Sequence, residues 1–410
     1  MKEWEGRWRI GMFTNVYLPT TNGVVVSVET FRRALTQLGH DVFIFGPDSG
    51  DIEDRAPFIF RYPSVELPLQ KYPLTLPVSP FVDHVIKNLK PQVLHANHPA
   101  LLGRVAVKKS QELDLPLVYT YHTRYADYSH YADPLPQENV KEFIDSWLFQ
   151  FMSNCHHVVV PSESIKEMLF EKYRVSKDVS VVPTGIDLEK FSDLNHRETR
   201  DKLGWSDEKT YLVSIGRLAK EKSFDILIKA LAKLDREDLE LVIIGSGDEK
   251  ENLEEMASDL GVAERVTFTG LIPFGEVPNY LSAADLFVFA SVTETQGLVT
   301  LEAMACGLPV VAVDASGTRE AVDEASAILT EHDVDAVAAG IEKMLSMEDL
   351  EPYRKAARKR AESFGLLRQG EAMVEVYEKA REAHAAKRKV LTPSEDHKDR
   401  WKEFMQIFGI

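Results

Sequence analysis

The chain has 410 residues, 44% of them hydrophobic and 28% charged, and a formal net charge of −17; that length predicts about two domains, each able to bury its own core. So acidic a chain lacks the electrostatic footprint of a nucleic-acid binder. No run of 18 apolar residues and no signal-peptide core occurs, which speaks against a bilayer-spanning helix and makes the expected location cytoplasmic.

From Arg9 onward, short apolar runs alternate with amphipathic stretches. Strands are predicted at 10–13, 42–45, 93–96, 117–121, 157–160 and 179–182, and, after the Pro183-Thr-Gly-Ile-Asp187 break, at 211–215, 239–244, 265–269, 286–290 and 310–313. Such alternation implies parallel sheets covered by helices on both faces. The fold class is therefore α/β, with two doubly wound, Rossmann-like domains that meet near residues 183–191 and are expected to face each other across a cleft. Residues 1–186 carry 19 Lys/Arg against 21 Asp/Glu and the remainder 29 against 44, so the first domain is the better suited to an anionic surface.

Ligands of such sheets bind beyond the carboxyl ends of the strands, and candidate residues belong there. After the first strand, Asn22-Gly23 can turn tightly and present amides at a helix start; Gly23 is a candidate phosphate or sugar contact, or else a plain turn glycine. His122 follows the fourth strand and is a candidate by that placement, with His95 and His98 after the third strand as second choices. Cys155-His156-His157 reads as structural. Cys155 and Cys306, far apart in apolar surroundings, read as buried thiols rather than a disulfide or a metal site. Residues 57–81, rich in proline and aromatics, read as an ordered loop or a flap over an apolar acceptor, with no helix expected. The charged stretch 344–390 reads as a helical, solvated outer face. The segment 395–410, with Trp401, Phe404, Met405 and Phe408 at helical spacing, reads as a helix packing back onto the body, or else meeting a membrane.

Two stretches of the second domain carry more chemistry. Gly216-Arg217-Leu-Ala-Lys-Glu-Lys222 sets two cations five residues apart beside a glycine, which suits a diphosphate. The stretch from Ser291 to Val313 reads as loop, short helix and buried strand. Its N–H groups from Gly297 to Thr300 form a candidate anion site, Gly297 lets a ligand approach closely, and Gly307 with Pro309 ends the helix. Glu294 lies in the loop; Glu302 lies two turns inside an apolar helix, where an ionised carboxylate needs a partner or a ligand. Asp333-Val-Asp335 reads as helix-capping acids rather than a metal pair. Gly245-Ser-Gly247 lacks the third glycine of the dinucleotide fingerprint and is read as bordering a nucleoside, which disfavours a nicotinamide enzyme.

Taken together, ETQGLVTLEAMACGLPVV, GRLAKEKSFD, PTGIDLEKF and the TNGV loop resemble the retaining glycosyltransferases of family 4, with the two-domain GT-B fold. YLPTTNGVVVS and TYHTRYADYSHY are most similar to the 1,2-diacylglycerol 3-glucosyltransferases. The resemblance implies transfer of a hexose, glucose from UDP-glucose, to a hydroxyl of diacylglycerol or a related glycolipid, with the anomeric configuration retained. Neither metal nor cofactor is implied, and a lipid acceptor brings the expectation of peripheral contact with the inner face of a membrane through the first domain. Residues 1–186 would form the acceptor side and 187–394 the nucleotide-sugar side.

Residue by residue, the resemblance implies that Arg217 and Lys222 neutralise the diphosphate. The amides of Gly297, Leu298 and Val299 would hold phosphate and sugar hydroxyls, and Glu302 the ribose. Glu294 would touch the sugar, His122 would face its reacting side, and Gly23 would close over the phosphate. Gln296, where many relatives carry an aromatic residue, and Ala315-Ser316-Gly317, where a two-glycine turn is common, depart from the pattern. The alternatives are a mannosyl- or galactosyltransferase with another lipid or sugar acceptor, a sugar-nucleotide epimerase, and a non-catalytic nucleotide-sugar sensor.

Overall fold

A computed structural model describes residues 6–391 apart from 21, 49, 51–53, 55, 66–73, 126–136, 176–177 and 193. The chain divides into two compact units: one takes the residues up to Gly185 together with the chain from Leu367, the other Ile186–Leu366.

In the first unit the chain runs β1 (Arg9–Phe13), α1 (Gly23–Gln37), β2 (Asp41–Pro47), β3 (Ile59–Tyr62), β4 (Ser64–Val65), β5 (Leu74–Thr75), α2 (Pro80–Leu89), β6 (Val93–Ala96), α3 (Leu102–Glu112), β7 (Leu117–Thr120), α4 (Gln137–Met152), β8 (His157–Val160), α5 (Glu163–Tyr173) and β9 (Val179–Val181). Seven of these strands form one parallel sheet in the order β3-β2-β1-β6-β7-β8-β9. Successive strand residues point to opposite faces, so each strand feeds two cores. Ile10, Met12, Ile44, Val93, Val118 and Val159 pack with α1 on one face. Phe13, Phe45, Leu94, Tyr119, Val158 and Val160 pack on the other with residues of α2 to α5.

The second unit runs α6 (His196–Leu203), β10 (Thr210–Ile215), α7 (Phe224–Lys233), β11 (Leu239–Ile244), α8 (Lys250–Asp259), β12 (Val266–Gly270), α9 (Val277–Ala283), β13 (Leu286–Phe289), α10 (Leu298–Ala305), β14 (Val310–Val313), α11 (Ser316–Ala321), β15 (Ala327–Thr330), α12 (Val334–Leu345) and α13 (Glu351–Glu362). Its parallel sheet has the order β12-β11-β10-β13-β14-β15. In both sheets the strand order reverses once, between β1 and β6 and between β10 and β13. Those reversals are where a doubly wound sheet opens a crevice for a ligand. Asp333 caps α12 as expected, its Oδ1 accepting from the N–H groups of Asp335 (2.8 Å) and Ala336 (3.1 Å).

Three expectations need correction. The Pro-rich stretch supplies β3, paired in parallel on the sheet edge (Ile44 opposite Ile59), and it opens α2 with Ser79 as cap and Pro80 in the first turn. Proline is compatible with a helix start, where its missing N–H costs nothing. Strand β15 escaped the reading because Ala327–Thr330 is short and follows α11 within a few residues.

The third correction concerns the boundary at 394. The last described helix, α14 (Leu366–Ala385), joins the first unit from Leu367 on and is no solvated outer face. Met373, Val374, Val376, Tyr377 and Ala380 are buried against Trp8, Ile10 and Met12; charge along the exposed side concealed this apolar stripe. The expected helix at 395–410 lies outside the described residues. Among those described, no helix is long and apolar enough to cross a membrane.

Tyr377 also holds the first sheet by polar means: its hydroxyl is 2.9 Å from His95 Nδ1, and His95 Nε2 is 2.6 Å from Thr120 Oγ1. Tyr377→Phe, which strands a buried imidazole nitrogen, should therefore cost about 1–3 kcal/mol of stability. A Tm equal to that of the native chain would refute the claim.

Candidate functional site

In the second unit, four strand ends build one surface. The loop after β10 runs through Gly216 and Arg217 to a 3-10 turn at Lys220–Lys222. It lies backbone to backbone on the loop after β11: Gly216 N–H donates to Ile244 O and Leu218 N–H to Ser246 O, both at 3.0 Å. A Cβ on Gly245 would sit 1.9 Å from Gly216 O and one on Gly247 2.1 Å from Leu218 O. The two glycines are thus explained by this close packing.

Across the β10/β13 reversal, Lys222 pairs with Glu294, whose Oε1 also accepts from Ser291 Oγ at 3.0 Å. Both side chains are largely shielded, at 17% and 18% exposure. Arg217 pairs with Glu221, four residues on, and is more exposed. The loop carrying Glu294 leads to Gly297, the N-cap of α10, in left-handed backbone at φ +75°. That conformation is the first reason for glycine here.

The N-cap glycine brings no side chain to cap α10, and the first N–H groups of a helix, here those of Leu298 and Val299, have no intrahelical acceptor. Gly317 explains the kept glycine of the 315–317 turn: a Cβ there would lie 2.6 Å from both Gln296 N and Glu294 O. The turn after β14 is thereby seated on the Glu294–Gln296 loop.

Glu302 is the fifth residue of α10, only one turn in, not two. It is 6% exposed, and no hydrogen bond to its carboxylate occurs among the described residues. Burial pushes its pKa up to about 7, opposed by attraction to Lys190. Folded Glu302 thus holds its proton above the ordinary 4.5, and its contribution to stability, full at low pH, is lost as pH rises from about 4.5 through about 7. Glu302→Gln removes that dependence. The variant should gain on the native chain by about 2–3 kcal/mol between pH 5 and pH 8, read as a widening Tm difference; an unchanged difference would contradict the shift.

In the first unit, the strand ends beside the β1/β6 reversal are wired by hydrogen bonds. Asn97 N–H donates to Phe13 O (2.9 Å), and Asn97 Oδ1 is 2.9 Å from His122 Nε2. Asn15 N–H donates to His98 Nδ1 (3.1 Å), and its side chain bridges Ala100 O and Leu102 N. Burial lowers the pKa of His122 far below the usual value, with repulsion from His98 and His95 adding to it. All three imidazoles are neutral near pH 7: the pKa is about 4 for His98 and about 3 for His95, both through burial.

Gly23 begins α1, where Asn22 Oδ1 accepts from Val25 N–H at 3.0 Å. A Cβ on Gly23 would meet nothing within 4 Å, so the fold itself does not demand glycine there. The structure therefore brings Lys222, Glu294, Gly297 and Glu302 to one sheet's reversal and His122 to the other's. Asn97, Asn15 and Lys190 were missed. Asn97 directly follows β6 and Asn15 stands two residues past β1, but no local pattern marks either as part of a site, and Lys190 likewise carries none.

Comparison with known families agrees with this geometry. Residues 21–190 match the model of Glycosyltransferase Family 4, and residues 195–364 that of Glycosyl transferases group 1. The chain belongs to the family 4 glycosyltransferases. Its relatives include an alpha-monoglucosyldiacylglycerol synthase of Streptococcus pneumoniae, 33% identical over 74% of this chain and 70% of that one. They also include a GDP-mannose-dependent alpha-mannosyltransferase of Corynebacterium glutamicum, 29% identical over 77% and 75%. Among solved structures, sucrose-phosphate synthase from Thermosynechococcus elongatus shares the GT-B fold, with a TM-score of 0.75 at 23% identity over 91% of this chain and 98% of that one.

Proposed function

We propose that this glycosyltransferase transfers glucose from UDP-glucose to a hydroxyl of diacylglycerol with retention of configuration. The observation that carries the donor half is Glu302. A buried carboxylate with no hydrogen bond among the described residues, one turn below the glycine N-cap of α10, is costly unless a ligand supplies donors, and the two hydroxyls of a ribose do so. The amides of Gly297 to Val299 then meet phosphate and sugar oxygens, and Lys222 and Arg217 balance the diphosphate charge. The relative named as a monoglucosyldiacylglycerol synthase supports the choice of glucose and of a lipid acceptor.

The C1–O bond to the diphosphate breaks while a bond from C1 to the acceptor oxygen forms on the same face, and the acceptor's proton passes to the departing phosphate oxygen. Rate enhancement comes from stabilising that leaving group. Glu294 touches the sugar, His122 faces its reacting side, and the Gly23 amide adds to the phosphate contacts. No metal or cofactor enters this scheme.

Incubation with labelled UDP-glucose, UDP-galactose and GDP-mannose, each against diacylglycerol micelles and free sugars, tests it. An α-linked glucosyldiacylglycerol from UDP-glucose is expected. A mannosylated product would favour the reading suggested by the mannosyltransferase relative, and an isomerised sugar nucleotide formed without acceptor would reveal an epimerase.

A further inference from the structure

We infer that His332 is a positioning residue for Lys222: it holds the buried Ser223 hydroxyl and so fixes the turn from which the lysine projects. This rests on the reading of Lys222 as a cation that balances the donor diphosphate. His332 Nε2 lies 3.0 Å from Ser223 Oγ, across 109 residues of chain.

Ser223 joins the 3-10 turn Lys220–Lys222 to α7. Its backbone is left-handed, at φ +52°, a region that glycine enters freely and serine only at a cost. Serine usually begins a helix because its oxygen accepts from a first-turn N–H. Here no such bond forms, and the residue is 6% exposed. Neither backbone conformation nor capping accounts for a serine at this place. The bond to His332 does, since a buried hydroxyl left without a partner is costly.

His332 comes from another part of the sheet. It stands two residues past β15, next to Asp333, the cap of α12, and β14 and β13 lie between β15 and β10. The two residues meet because α7 and α12 share a core, in which Phe224, Ile228 and Leu231 are buried with Val337, Ile341 and Met344. His332 is itself exposed, so the fold gains little from its burial; what the contact supplies is a fixed Ser223.

The Lys222 backbone is thereby held on both sides. Its N–H donates to Ala219 O at 2.9 Å, the N–H of Ser223 donates to Lys220 O at 3.1 Å, and Ser223 O accepts from Ile226 N–H at 3.1 Å. A long, flexible side chain meets a leaving phosphate reproducibly only where its backbone is fixed.

The test uses the full chain and three variants, His332→Ala, His332→Gln and Ser223→Gly. Without substrate, amide hydrogen exchange at Lys222 and Ser223 is expected to quicken by about tenfold in His332→Ala. It should stay native in His332→Gln, whose amide reaches the place of Nε2. In turnover of UDP-glucose with diacylglycerol micelles, His332→Ala and Ser223→Gly should each lower kcat by about tenfold, with KM for diacylglycerol within about twofold. Tm should stay within about 4 °C of native in both, because His332 is exposed and glycine accepts the left-handed backbone. Added to Lys222→Ala, neither should lower kcat by more than about twofold further. Native exchange or native kcat in His332→Ala, or a loss that adds in full to that of Lys222→Ala, overturns the inference. The exchange is read without substrate, so absence of glucosyl transfer by the native chain would defeat the functional reading alone. Should Ser223→Gly fail to fold, His332→Ala and His332→Gln still decide.

Discussion

Lys222→Ala is expected to lower kcat by about two orders of magnitude, equivalent to about 3 kcal/mol of transition-state stabilisation, while Tm moves by no more than a few degrees. The lysine sits where the strand order of the second sheet reverses, and its present partner is Glu294. In the proposed transition state the diphosphate gains negative charge as C1 departs, and a shielded ammonium beside it would act with little water to weaken the field. Removing the ammonium also leaves the Glu294 carboxylate, which still accepts from Ser291, to repel the leaving group. The fold loses little, because a single ion pair with part of its surface in water contributes about 1 kcal/mol or less. Steady-state rates with UDP-glucose, set beside thermal unfolding, separate the two effects. An alanine variant as active as the native enzyme would dispose of the diphosphate role.

Gly245→Ala should have the largest effect on stability of any substitution considered, at least about 4 kcal/mol, or a fall in Tm of about 8–16 °C. Gly245 adopts φ +144°, and its new Cβ would stand 1.9 Å from Gly216 O. The backbone is the obstacle, so no side-chain rotation relieves the clash, and the left-handed φ adds strain of its own. Gly216 would have to move, taking Arg217 and the turn at Lys222 with it. Transfer activity should therefore fall even at temperatures where the variant stays folded. A Tm within about 2 °C of the native value would show that the two loops are not locked together.

The parallel sheets were legible because strands buried on both faces read as unbroken apolar runs, as in Leu286–Phe289 and Val310–Val313. Two edge strands were not legible: β3 lies inside a proline- and aromatic-rich stretch, and β15 follows α11 within a few residues. Helix α14 was misread because Glu, Lys and Arg recur along its outer side and mask the apolar stripe that seats it on the first sheet. At the site, the cations of the Gly216 loop and the acids around Gly297 stood out through local pattern. Asn97 did not, since its meaning depends on a carbonyl 84 residues earlier in the chain.

By itself, then, the sequence determined two α/β units and marked out candidate residues for a diphosphate, since hydrophobic periodicity and glycine-flanked charges are local properties of the chain. Only the tertiary structure decided that Lys222 meets Glu294, that Glu302 is buried with no hydrogen bond to its carboxylate among the described residues, and that Asn97 lies 2.9 Å from His122. Those facts follow from which strands lie side by side, and strand adjacency is set by packing between segments distant in sequence.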